Sequence, residues 1–154
     1  MEIVVAKRAG FCFGVKRALD ITLDMAKQSR DGLYTLGPII HNPQVIDKLQ
    51  QQGISPIDMH ELDNKDVSAI IIRTHGIPFQ TYAAVSSRGI RIIDATCPFV
   101  KNAQHYAKLL QENGYQVVIL GDCDHPEVKG IMSYAGDDAI VLDENTPLPK
   151  LKPK

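Results

Sequence analysis

The chain has no excess of either charge: 17 Lys and Arg stand against 18 Asp and Glu, a formal net charge of -1. Such a balance supplies no global field for gripping nucleic acid or an acidic membrane surface, so neither is an expected partner. An anionic ligand must be held by a local site. Long apolar runs are also missing. Met1 leads straight into Glu2-Ile3-Val4-Val5 with no basic leader, and no stretch approaches the length of a membrane span, which reads as a cytoplasmic protein. Cysteine is scarce: three thiols and no secretion signal argue against a disulfide framework and leave thiolate chemistry or simple burial. What the chain does have is apolar content. With 44% hydrophobic residues in 154, it can build a real core as one ordinary domain or two small ones.

The apolar residues are arranged as βαβ grammar, in which short β-branched runs alternate with helical spacing. Ile3-Val4-Val5 is a predicted strand. Val15, Ala18, Leu19, Thr22, Met25 and Ala26 mark a helix, and Leu33 to Leu36 a second strand. Asn42-Pro43, an N-cap residue followed by proline, opens a helix that carries Val45, Ile46 and Leu49 inward and stops at Gly53. Strands are expected at Ser68 to Ile72 and Ile90 to Ile93, with a helix from Pro78 to Ser87 between them. From Pro98 a helix with Val100, Ala103, Ala107 and Leu110 on one stripe runs to Gly114, and Gln116 to Leu120 reads as a buried strand. Pro126 opens a helix with Val128, Ile131 and Met132 facing in, and Ala139 to Leu142 is the last strand. The fold class is α/β with parallel sheets, divided into a first unit over 1–89, an incomplete second over 90–146, and a Pro/Lys-rich tail over 147–154.

The two units are copies. The string Cys-x-x-Val-Lys-x-Ala occurs at Cys12 to Ala18 and returns at Cys97 to Ala103, 85 residues on. Leu36-Gly37 leading to His41-Asn42-Pro43 is matched by Leu120-Gly121 leading to His125-Pro126, and Gln44-Val45 by Glu127-Val128. The offset drifts from 85 to 84 at the histidines and 83 at the valines, as small loop deletions would make it.

In each copy the cysteine follows a strand and opens a helix, so its thiol belongs at the carboxyl edge of a parallel sheet, where α/β folds place ligands. The helix dipole and the free backbone N–H groups there favour the thiolate needed to bind iron or zinc or to attack a substrate. Each histidine likewise follows a strand and precedes a helix opened by proline, a corner that suits phosphate. His75, in Arg73-Thr74-His75-Gly76, adds a third imidazole at that edge. A lone strand-end cysteine is ordinarily a small buried hydrophobe, and it is the equivalence of Cys12 and Cys97 that sets them apart. Cys123 aligns with Ile39 and reads as packing. His60 and His105 read as surface residues, and Lys16, Arg17 and Lys101 as solvated helix faces. Glu127 could favour its helix's first turn through the dipole or could act as an acid.

Ala9-Gly10-Phe11-Cys12-Phe13-Gly14-Val15, His41-Asn42, Thr74-His75-Gly76, Asp94-Ala95-Thr96-Cys97-Pro98 and His125-Pro126-Glu127-Val128 occur in the order and setting of the 4-hydroxy-3-methylbut-2-enyl diphosphate reductase family, which the chain resembles over nearly its whole length. The resemblance implies a trefoil of three pseudo-symmetric α/β units around a 4Fe-4S cluster, each unit giving one cysteine, with the iron that lacks a cysteine meeting the substrate. It implies that Cys12 and Cys97 are cluster ligands, that His41, His75 and His125 hold the diphosphate, and that Glu127 relays protons to the leaving hydroxyl. The reaction implied is a two-electron reductive dehydroxylation of an allylic diphosphate to isopentenyl and dimethylallyl diphosphates, fed by an external one-electron donor such as flavodoxin or ferredoxin. The family's chains are roughly twice this length, and the third unit with its cysteine lies outside these residues. The chain alone is therefore expected neither to hold a stable cluster nor to turn over.

Two other classes fit parts of the sequence. A cysteine-dependent phosphatase is suggested by Cys12 to Arg17, but its loop needs five residues between cysteine and arginine and here there are four. A non-catalytic module, binding a diphosphate or sensing redox state through paired thiols, is the other.

Overall fold

Three consecutive isoleucines, Ile70, Ile71 and Ile72, sit at 0%, 0% and 1% exposure, and the first unit is built around them. They lie in β3 (Ala69–Ile72), where side chains alternate between the two faces of a sheet. Ile71 packs with Ala18, Leu33, Ile39 and Leu49 on one face, while Ile70 and Ile72 pack with Leu36, Ile57, Ile77 and Val85 on the other. Each such burial contributes roughly 1.5–3 kcal/mol. Burial on both faces is what a parallel strand covered by helices requires, and the unbroken isoleucine run reports it.

The structure, a computed structural model, describes residues 1–7, 9–28 and 31–151. Strands β1 (Leu33–Leu36), β2 (Ser55–Ile57), β3 and β4 (Arg91–Asp94) form one parallel sheet in the order β2-β1-β3-β4. Helices α1 (Phe13–Gln28), α2 (Pro43–Gln51) and α3 (Phe79–Ser86) belong to this unit. At the start of α2 the Asn42 side chain accepts the Val45 N–H at 3.1 Å and Pro43 takes the first helical position, as the sequence foretold. Gly53, at φ +86°, ends the segment in a conformation that side chains rarely adopt. The second unit comprises α4 (Pro98–Glu112), β5 (Val118–Leu120), α5 (Pro126–Met132) and β6 (Ile140–Leu142), with β5 and β6 paired in parallel. Its core is small, centred on Ala107, Val117 and Ala135. No helix among the described residues is long and apolar enough to cross a membrane.

Several expectations are corrected. Ile3-Val4-Val5 forms no strand and stands 76%, 82% and 76% exposed, because a strand exists only by exchanging backbone hydrogen bonds with a neighbour and none runs beside it among the described residues. β5 is not buried: Leu120 is 82% exposed. Its counterpart β1 is flanked by β2 and β3, whereas β5 pairs with β6 alone among the described residues. Leu110, expected on the inner stripe of α4, is exposed. β2 was not anticipated, since Pro56 disguises it; an edge strand tolerates the missing N–H. β4 hydrogen-bonds to β3 in the first sheet, although the expected division at residue 90 gave it to the second unit. Pro147 to Leu151 carry no regular structure, as expected, and the rest of the tail lies outside the described residues.

The strand order carries the consequence for function. From β1 the chain moves outward to β2 in one direction and then returns to place β3 and β4 in the other, so a topological switch point lies between β1 and β3. Crevices beyond the carboxyl ends of strands at such a point are where open α/β sheets bind ligands.

Candidate functional site

Three loops leave the carboxyl edge of the first sheet and are tied to one another through backbone. Thr74, just beyond β3, donates from its N–H at 3.3 Å and its hydroxyl at 3.2 Å to the Ile39 carbonyl in the loop after β1. The Thr74 carbonyl in turn accepts the Cys97 N–H at 2.9 Å in the loop after β4. Thr74 is 6% exposed, so these bonds work away from water and fix the loops carrying His41, His75 and Cys97 to each other.

His41 and His75 accordingly flank the switch point, with ring centroids 5.0 Å apart and tilted by 40°. His125, from the second unit, meets His75 edge-on at 5.8 Å and 84°. His75 is thus the middle ring of three. Burial, reinforced by His41, Arg73 and His125, holds it below the ordinary histidine range, which favours a neutral ring. Its Nδ1 is buried with no hydrogen-bond partner among the described residues. His125 is the N-cap of α5, and its Nδ1 accepts the N–H of the half-buried Glu127 at 3.3 Å.

Cys12 and Cys97 occupy equivalent positions before their helices. The Cys12 carbonyl accepts the Lys16 N–H at 2.9 Å and the Cys97 carbonyl the Lys101 N–H at 3.0 Å. Both thiols are free, Cys12 exposed and Cys97 partly buried. The buried Gly14, two residues after Cys12, approaches Cys97 so closely that a Cβ there would lie 2.6 Å from Sγ. Cys97 is therefore lodged against the first turn of the helix that Cys12 opens. A free thiol lodged against the first turn of the helix that a second free thiol precedes is a donor set suited to a thiophilic centre such as iron–sulfur.

Residues read as solvated helix faces turn out to brace this corner. Arg17 donates from Nη1 to the Thr96 carbonyl at 3.2 Å, and Lys101 pairs with Asp94 at 2.6 Å, while Asp94 Oδ1 accepts the Thr96 N–H at 2.9 Å. Burial pulls the Asp94 carboxyl upward, but the bonds from Lys101 and Thr96 outweigh it and hold the group below the usual carboxylate range. The Arg17–Thr96 contact spans 79 residues of sequence and leaves no periodic trace. His60 and His105 are exposed as expected. Cys123 does not pack: it is exposed between Asp122 and Asp124, with thiol and carboxylate oxygens within 4.8 Å of one another. Ile39, its repeat counterpart, is 1% exposed, so equivalence in the repeat did not carry equivalence in burial. The phosphatase reading fails on backbone, since Phe13 to Arg17 are already helical and cannot wrap a phosphate.

Fold and site together define an α/β protein that gathers thiols and imidazoles at the carboxyl edge of a parallel sheet. A family model described as "LytB protein" matches residues 3–154, and the chain belongs to that family. The 4-hydroxy-3-methylbut-2-enyl diphosphate reductase of Pelobacter propionicus is 48% identical over 151 residues, covering 98% of this chain and 53% of the relative. That of Geotalea uraniireducens is 45% identical over 154 residues, covering 98% and 54%. A solved (E)-4-hydroxy-3-methyl-but-2-enyl diphosphate reductase, described as the terminal enzyme of the non-mevalonate pathway, superposes with a TM-score of 0.77 at 40% identity over 94% of this chain and 51% of its own. The E-1-hydroxy-2-methyl-but-2-enyl-4-diphosphate reductase from Plasmodium falciparum does so with a TM-score of 0.83 at 26% identity, over 93% and 46%. The chain spans about half the length of the curated relatives it matches.

Proposed function

We propose that this chain supplies two cluster ligands, the diphosphate pocket and the proton-relaying acid of a 4-hydroxy-3-methylbut-2-enyl diphosphate reductase acting in the cytoplasm. The observation that carries the reading is the juxtaposition of the His41, His75 and His125 rings with the loop of Cys97, joined through Thr74. An imidazole donates an N–H whether or not it is protonated, so three of them at one edge can hydrogen-bond and orient a diphosphate without a net positive surface. Cys12 and Cys97 would hold a 4Fe-4S cluster with a third cysteine from another part of the full-length protein, in the three-unit trefoil the resemblance implies. When bound, the cluster supplies the electrons, received singly from a ferredoxin- or flavodoxin-like donor, and a Lewis-acidic contact at the hydroxyl.

The chain's own residues do the rest. The histidines bind and orient the diphosphate, and Glu127 carries a proton to the departing hydroxyl. The net reaction breaks the allylic C–O bond, consumes two electrons and two protons, and releases water with isopentenyl or dimethylallyl diphosphate. The protein at its relatives' full length, loaded anaerobically and given a chemical one-electron reductant, should consume the allylic diphosphate. Glu127→Gln should lose most turnover while retaining pyrophosphate binding, and a Glu127→Gln enzyme as fast as wild type would overturn the assignment.

A further inference from the structure

Gln104 is a polar residue on the inner face of α4, where its buried companions are Val100 and Ala107. It is 8% exposed, and its Nε2 is buried with no hydrogen-bond partner among the described residues. An amide in such a place costs stability unless its N–H groups are used, and a methionine would fill the space without that cost. The surroundings show what the amide reaches. A Cβ on Gly76 would lie 2.8 Å from Gln104 Nε2, and one on Gly130 would lie 3.3 Å from the same nitrogen and 3.6 Å from the His75 carbonyl. Two glycines, one of them at φ +73° directly after His75, thus clear the space that lets this carboxamide press against the His75-Gly76 backbone. Nδ1 of His75, the residue whose backbone the carboxamide faces, is likewise buried with no hydrogen-bond partner among the described residues.

We propose that Gln104 is a positioning residue for His75: its N–H reaches the buried Nδ1 through one bridging water, fixing the neutral ring with its proton on Nε2. A water that accepts the amide N–H and donates to Nδ1 satisfies both buried groups at once. The second partner of a histidine decides which ring nitrogen bears the proton. With Nδ1 accepting, Nε2 must donate, so the middle ring of the trio meets an anion as an N–H donor without having to be protonated. The low proton affinity of His75 agrees with a ring that works neutral. This inference rests on the reading of the histidines as an anion site, and the experiment separates the two.

The ¹⁵N-labelled 154-residue chain is examined by two-bond ¹H–¹⁵N correlation of its histidine rings at neutral pH, with and without inorganic pyrophosphate. Wild-type His75 should be the Nε2–H tautomer. Gln104→Met, which keeps volume and removes the donor, should mix the tautomers and weaken pyrophosphate binding by up to about tenfold, the equivalent of one lost charge-assisted hydrogen bond. Gln104→Glu, which keeps shape and offers an acceptor, should move the proton to Nδ1. A purely structural glutamine would leave the tautomer untouched in both variants, and that result, or an Nδ1–H ring in the wild type, overturns the proposal. A wild-type chain indifferent to pyrophosphate contradicts the anion-site reading instead, while the tautomer comparison still decides this one.

Discussion

Cys97 Sγ occupies the space that a side chain on Gly14 would need, 2.6 Å from where its Cβ would stand. Gly14 is helical with no positive φ, so its requirement is one of room and not of backbone freedom. The helix opened by Cys12 can approach Cys97 because this position is bare. Gly14→Ala should therefore push the two cysteines apart, destabilise the chain by roughly 1–3 kcal/mol through overpacking, and change the rate at which Cys97 reacts with a thiol reagent. Urea unfolding and thiol kinetics in a Cys12→Ser, Cys123→Ser background measure both. Wild-type values in the alanine variant would show that the two sites are not in contact.

The Asp94–Lys101 pair should be worth about 1 kcal/mol, since Lys101 is half exposed and Asp94 is not. The folded-state pKa of Asp94 is depressed, so the pair's contribution is complete above the unfolded carboxylate value, about 3.9, and is lost as pH falls through the folded value. Lys101→Met should be less stable than wild type at pH 7, with the gap closing in acid. A gap unchanged at about pH 3 would argue against ionic bracing.

His75 gives a pH response of the same sign in a higher window. The unfolded chain takes up a proton on this ring more readily than the folded one, so stability is full above about 6.5 and declines as pH drops below that value. Replacing His75 with Gln should flatten the dependence of the urea midpoint between pH 7 and 5. Saturating pyrophosphate should raise the titration midpoint of the ring, read by NMR, because an anion favours the charged form.

Cys123 should behave as an ordinary exposed thiol. It should react with a thiol reagent faster than Cys97, and Cys123→Ser should leave stability within about 0.5 kcal/mol of wild type. Protection of Cys123 in the folded chain would restore the packing role read from the repeat.

The sequence disclosed what local spacing can encode. Pro43 and Pro126 announced their helices, the isoleucine run announced β3, and the repeat made His41 equivalent to His125 and Cys12 to Cys97. What it concealed depends on partners far along the chain. Arg17 reaches Thr96 across 79 residues, and nothing near either one signals it. Ile3-Val4-Val5 and Leu120 have the composition of buried strands, yet burial is supplied by a neighbour and not by composition. Nothing in the sequence marks Gln104, because only the packed structure shows two glycines making room for it.

The central claim, that Cys12 and Cys97 are two ligands of one iron–sulfur cluster whose set is completed outside these residues, is tested most directly by anaerobic reconstitution followed by iron and sulfide counting. The protein at full family length should take up a full complement, Cys123→Ser should match it, and Cys12→Ser or Cys97→Ser should lose a large part of it. The 154-residue chain alone should stay well below one cluster per molecule. A stoichiometric, substrate-responsive cluster on the short chain, or an intact one without Cys12 or Cys97, would contradict the account.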